Sequence, residues 1–257
     1  MESTTLTTGF VKDLNAKAVA YMYQGNTEQA IQVLHQATRY LQKQTTKITN
    51  WTAGAKDIQV IPTEERLLIP FGIGSVNTNP FGHVMYETAF LLACPVDDTT
   101  AEYHELATAV VLYNTALAYH LYGLETGKRK ILLDAAALYT LIVTKATAAT
   151  TDDDSGNSKG FKDNSDNSTI ITSFREFPAL LLGASNNLVH IHLTLYAVPE
   201  MQAARTTLRG LLKHVTSCPI MLFHLSLGDC QSQHVLIFFR MNLLCLEQQE
   251  SRHAPVA

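Results

Sequence analysis

The chain has 257 residues, 46% hydrophobic and 16% charged, with a formal net charge of −4. That is enough apolar material for one large core or two small ones, and the mild acidity gives no polybasic face for nucleic acid. The first eight residues carry no basic start leading into an apolar run, so no secretory signal is visible, and the longest apolar zone (218–246) is broken by Asp229, Gln231, Gln233 and Arg240, so it reads as core rather than a membrane span.

In chain order, residues 10–42 read as a helical hairpin. Phe10, Leu14, Ala18, Tyr21 and Met22 mark one apolar stripe, and Ile31, Leu34, Ala37 and Leu41 mark the next. Gly25 ends the first helix. Asn26 caps the second, with Gln29 placed as its partner in a capping box. Ala18, Ala30 and Ala37 let the two backbones approach closely. This is the pattern of a tetratricopeptide (TPR) hairpin. Such a unit cannot bury its faces alone, so more of them are expected.

Residues 45–83 are rich in glycine and proline and read as loop, with one short strand at 58–61. Alternation over 84–92 predicts a strand. A second hairpin spans 104–145, with Gly123 and Gly127 bracketing a lengthened turn. Residues 150–169 hold Asp, Ser, Asn and Gly with little apolar content, and are predicted to be a disordered loop. A third hairpin spans 178–215, where Pro199 and Glu200 suit a helix start. Residues 235–245 are dense in strand formers and are predicted to pair with 84–92; a buried helix is the rival. The predicted fold is mainly α: a single domain over residues 1–257, a TPR-like α-α superhelix of three hairpins with a small antiparallel β-sheet insertion.

Five segments carry a family resemblance. They are Gly25-Asn26-Thr27-Glu28-Gln29-Ala30-Ile31, residues 85–92, residues 112–121, Asn186-Asn187-Leu188-Val189-His190-Ile191-His192, and Phe238-Phe239-Arg240-Met241-Asn242-Leu243-Leu244 followed by Ala254-Pro255-Val256-Ala257. In this series the chain resembles uncharacterised TPR-like proteins of diatoms. The resemblance implies a helical-repeat fold with a few added strands, and no activity.

In such an array the first helix of each hairpin lines the concave face. Spacing places Asn15 and Tyr23 there from the first hairpin, Tyr113, Asn114 and His120 from the second, and Asn186, Asn187 and His190 from the third. An asparagine amide both donates and accepts, so it can read the backbone of an extended peptide. The plainer alternative is that these asparagines bond neighbouring helices and the aromatics are core. No lysine or arginine occurs from Thr99 through Gly127 or from Glu176 through Ala204, so a peptide carboxylate would find no cation and a neutral ligand is expected.

His214, Cys218, His224, Cys230 and His234 fall close together, which raises a metal-binding module over residues 214–245 as an alternative. Their spacing fits no known zinc knuckle and no Cys-x-x-Cys pair exists, so the expectation is no metal and no cofactor. A structural, self-assembling protein joined through the edge of the C-terminal strand is a further alternative. No nucleophile elbow, phosphate loop or dinucleotide fingerprint occurs, so no catalytic residue is assigned and no enzyme is expected. The four cysteines are scattered and suit reduced thiols, hence an intracellular, cytoplasmic setting. The function expected is that of a non-catalytic scaffold or adaptor binding a protein or peptide, with no nucleic-acid or membrane partner.

Overall fold

The structure, a computed structural model, describes residues 5–49, 68–72, 82–92, 101–148, 178–217 and 231–253. These are mostly helical. Seven helices are α1 (Thr5–Tyr23), α2 (Thr27–Thr49), α3 (Ala101–Thr126), α4 (Arg129–Ala148), α5 (Pro178–Thr194), α6 (Val198–Ser217) and α7 (Gln231–His253). Two short strands, β1 (Leu68–Gly72) and β2 (Thr88–Leu92), pair antiparallel. The fold divides into two compact units, Met1–Gly74 with Thr88–Gly127, and Ser75–Glu87 with Lys128–Ala257.

In the first unit, α1 and α2 fold back on each other through a tight turn. The Asn26 N–H donates to the Tyr21 carbonyl (2.8 Å) and the Gly25 N–H to Met22 (3.0 Å), which is the Schellman arrangement. Gly25 takes φ of 75°, a left-handed conformation that costs a glycine little. Asn26 holds the position before α2, its carbonyl accepting from the Ala30 N–H, and its side-chain amide donates to Gln24 Oε1 (3.5 Å). Ala18, Ala30 and Ala37 are fully buried, as close helix contact requires. The third helix of this unit, α3, packs on α2 and α1, and β2 lies against α1 and α3. Tyr119 on α3 meets His35 on α2, hydroxyl to Nε2 at 2.7 Å.

In the second unit, α5 and α6 make the equivalent hairpin, α4 packs on α5, and α7 packs on α6 and α5. Fifteen of the seventeen residues of α5 are buried, which makes it the central helix of its unit. The α5–α6 turn repeats the first one bond for bond. Ala197 N–H reaches the His192 carbonyl (2.8 Å), Tyr196 N–H reaches Leu193 (3.1 Å), and the Ala197 carbonyl accepts from Met201. Here the left-handed position is held by Tyr196 at φ of 56°.

Several expectations change. Residues 235–245 are helical, inside α7, and form no strand with 84–92. The reason is period: Phe239, Asn242, Leu243 and Leu246 are buried at helical spacing, and this outweighs the β-propensity of the run. Among the described residues the strand pairing is that of β1 with β2. Only 88–92 of the predicted strand 84–92 is β2. Gly123 does not begin a turn; α3 runs through it, and Gly127 alone takes positive φ, 65°. The two helices of the predicted 104–145 hairpin both form, but α3 packs within the first unit and α4 within the second. The 58–61 strand and the 150–169 loop lie outside the described residues.

Candidate functional site: asparagine clamps on an extended segment

A strand residue points its N–H and C=O to the same side, and the next residue points them to the other. In β2 this separates two edges. Pro70 has no N–H and sits opposite Phe90 in the β1–β2 register. Nothing is lost there, because the backbone polar groups of Phe90 face the other way, towards the helices.

Those groups are taken by two asparagines. The Phe90 N–H donates to Asn114 Oδ1 (3.0 Å). Asn114 Nδ2 donates to the Phe90 carbonyl (2.8 Å) and to Asn15 Oδ1 (2.8 Å). Asn15 Nδ2 donates to the same Phe90 carbonyl (2.8 Å). Three bonds thus join one backbone residue to amides on α1 and α3, and a fourth ties the two amides to each other.

The second unit contains the same motif on Val84. Its N–H donates to Asn242 Oδ1 (3.1 Å). Asn242 Nδ2 donates to the Val84 carbonyl (2.8 Å) and to Asn186 Oδ1 (2.9 Å). Asn186 Nδ2 donates to the Val84 carbonyl (3.0 Å). Asn242 therefore matches Asn114, and Asn186 matches Asn15. The turns support the match: Asn15 precedes Gly25 in α1 as Asn186 precedes Tyr196 in α5, each by ten positions.

The second unit adds a further grip two residues on. The Tyr86 N–H donates to Asn187 Oδ1 (2.8 Å), and Asn187 Nδ2 donates to the Tyr86 carbonyl (3.0 Å) and to the Tyr139 hydroxyl (3.0 Å). Burial raises the Tyr139 pKa, so this hydroxyl stays protonated. All five asparagines are nearly or wholly buried. A buried amide without partners costs a few kcal/mol, so complete bonding is what makes their burial tolerable.

Side chains complete each clamp. In the first unit the Phe90 ring meets Tyr113 edge-on at 5.1 Å. In the second, Tyr86 packs against Phe239 (4.9 Å) and Phe238 (5.5 Å). His83 Nε2 donates to the Asn186 carbonyl (3.2 Å), and its ring lies 6.1 Å from that of His190. Burial lowers the pKa of His83 to about 4 and, together with the neighbouring His83, that of His190 to about 3. Both imidazoles are neutral near pH 7.

The predicted concave-face residues are thus inside the molecule. Asn15, Tyr113, Asn114, His120, Asn186, Asn187 and His190 are all buried, and only Tyr23, 60% exposed, faces solvent. The amides read an extended backbone as their chemistry suggests, but the backbone is the chain's own, at residues 84, 86 and 90. The sequence does not single out Asn242, because its segment reads as a strand; the helical spacing of Phe239, Asn242, Leu243 and Leu246 is the available signal.

Among the described residues no cluster of three His, Cys, Asp or Glu side chains could hold a metal ion. Of the proposed 214–245 ligands, His214 is exposed on α6 and His234 lies in α7, while Cys218, His224 and Cys230 are outside the described residues. Among the described residues no helix is long and apolar enough to cross a membrane. No protein-family model, curated protein or solved structure matches the chain.

Proposed function

We propose that the chain is a non-catalytic protein-interaction scaffold whose hairpins follow TPR-like logic. The observation that carries this reading is how the buried asparagines are used. All five grip a polypeptide backbone or one another. The clamps hold residues 83–92 as internal struts, so the partner meets outward-facing side chains. Of the eight candidate residues Tyr23 is the one in that position, and Tyr196, 71% exposed at the equivalent turn, joins it.

Affinity capture with tagged full-length protein tests the reading. Tyr23→Ser and Tyr196→Ser are expected to lose bound partner protein while helical circular dichroism is unchanged. Asn187→Leu is expected to lose folding and capture together. The reading fails if both tyrosine variants keep every partner, or if Asn187→Leu folds normally and selectively loses one.

A further inference from the structure

A second surface follows from the duplicated clamp. Because Asn242 does on α7 what Asn114 does on α3, the two helices can be superposed in register on these asparagines. Ile237, Met241 and Leu244 then fall on Ala109, Tyr113 and Ala116. The three α3 residues are 3%, 0% and 0% exposed; the three α7 residues are 53%, 54% and 49% exposed. The face that is covered on α3 is therefore bare on its counterpart, and two of its three positions carry a larger apolar side chain, Ile237 and Leu244 in place of alanines.

We propose that this face docks a second copy of the chain, through antiparallel packing of α7 on α7. Ile237, Met241, Leu244 and the exposed Gln248 follow a four-three-four spacing, the seam of two helices packed side by side. Antiparallel pairing sets Met241 against Leu244 of the second copy and Ile237 against Gln248. The positions flanking such a seam then bring Arg240 of one copy beside Glu247 of the other, twice by symmetry. Arg240 is exposed, and Glu247 is 43% exposed while bonded to Arg209 at 2.5 Å. The surface is thus self-complementary in apolar spacing and charge, as a two-fold interface requires. It is also small. Specific interfaces usually bury roughly 800 Å² per partner, so the dimer is expected to be weak, with a dissociation constant of about micromolar or above.

Sedimentation equilibrium of the full-length chain across a thousandfold concentration range tests this. The expected result is a mass rising from monomer to dimer and stopping there. Met241→Glu should weaken association at least tenfold while helical circular dichroism is kept. Should that variant misfold, charge exchange decides: Arg240→Glu and Glu247→Arg should each weaken the dimer, and the two together should restore it. A chain monomeric throughout, which would leave the face to another protein, overturns the proposal. So does growth beyond a dimer, association unchanged by Met241→Glu, or a double charge exchange that fails to restore pairing.

Discussion

The two units use one device with different strengths. The first holds a single backbone residue, Phe90, with Asn15 and Asn114, and anchors it by a large buried ring on Tyr113. The second holds two residues, Val84 and Tyr86, with Asn186, Asn242 and Asn187, and surrounds them with a histidine pair and a tyrosine hydroxyl. The helices bringing these amides together are far apart in sequence, and in the second unit the clamped residues are about a hundred or more positions from their partners. The lesson is that an extended segment without a full sheet can still satisfy its backbone, provided helices present amides at the strand's own spacing. The second unit relies on polar bonding more than the first does, and it should therefore be more sensitive to lost hydrogen bonds and to acid.

The largest effect should come from Asn187→Leu, which removes the bonds to Tyr86 N–H, Tyr86 carbonyl and Tyr139 hydroxyl at once. At roughly 1–3 kcal/mol for each buried polar group deprived of its bond, the loss is about 5 kcal/mol. Asn114→Leu and Asn242→Leu also remove three bonds each, but Asn15 still donates to Phe90 and Asn186 to Val84, so about 3 kcal/mol is expected for each. Denaturant midpoints measure all three. If Asn114→Leu and Asn242→Leu differ by more than a factor of two, the equivalence of the motifs is broken.

Between these in size is the anchoring side chain of the first clamp. Phe90 is 1% exposed, and Phe90→Ala should cost about 4 kcal/mol. Val84, in the matching place, is only half-buried, and Val84→Ala should cost about 1 kcal/mol. Equal losses would show that the two clamps share a single anchoring mode.

Acid should separate the units. His83 folds with a pKa of about 4 against an ordinary 6.5, so the unfolded state binds the proton first. The stability gained by keeping it neutral is complete above pH 6.5 and falls as the pH drops towards 4, by about 3 kcal/mol. His190 acts in the same direction down to about pH 3. Burial also lowers His35 and His104 in the first unit, but these are only half-buried. Hydrogen exchange between pH 7 and 4 should show protection lost first at Tyr86 and along α5. A His83→Gln variant that loses stability with acid as steeply as the natural chain would count against this cause.

How far the sequence discloses this arrangement depends on whether a signal is local. The hairpins at 10–42 and 178–215 are legible because Gly25, Asn26 and Pro199 act on their own turns. The asparagines are legible as backbone readers from their chemistry, but not as buried ones. Whether Asn114 faces solvent depends on Phe90, and whether Asn187 does depends on Tyr86, one hundred and one residues away. The nature of 235–245 is ambiguous for a related reason. Phe238 and Phe239 favour a strand when taken alone, and only the burial of Asn242 against Val84 makes the helical period decisive.

The smallest effect is the most direct comparison of the two turns. Gly25 and Tyr196 hold the same left-handed position in the same hydrogen-bonded cap, but only glycine does so without strain. An added Cβ at Gly25 meets no heavy atom within 4 Å, so Gly25→Ala isolates the backbone term and should cost about 1 kcal/mol. Tyr196→Gly reverses the term, relieving about 1 kcal/mol of strain while making the unfolded chain more flexible by somewhat less, so a small net stabilisation is expected. The two substitutions should move the denaturation midpoint in opposite directions. If Tyr196→Gly destabilises instead, the exposed ring contributes more to the fold than its backbone strain removes, and the match between the turns ends at the main chain.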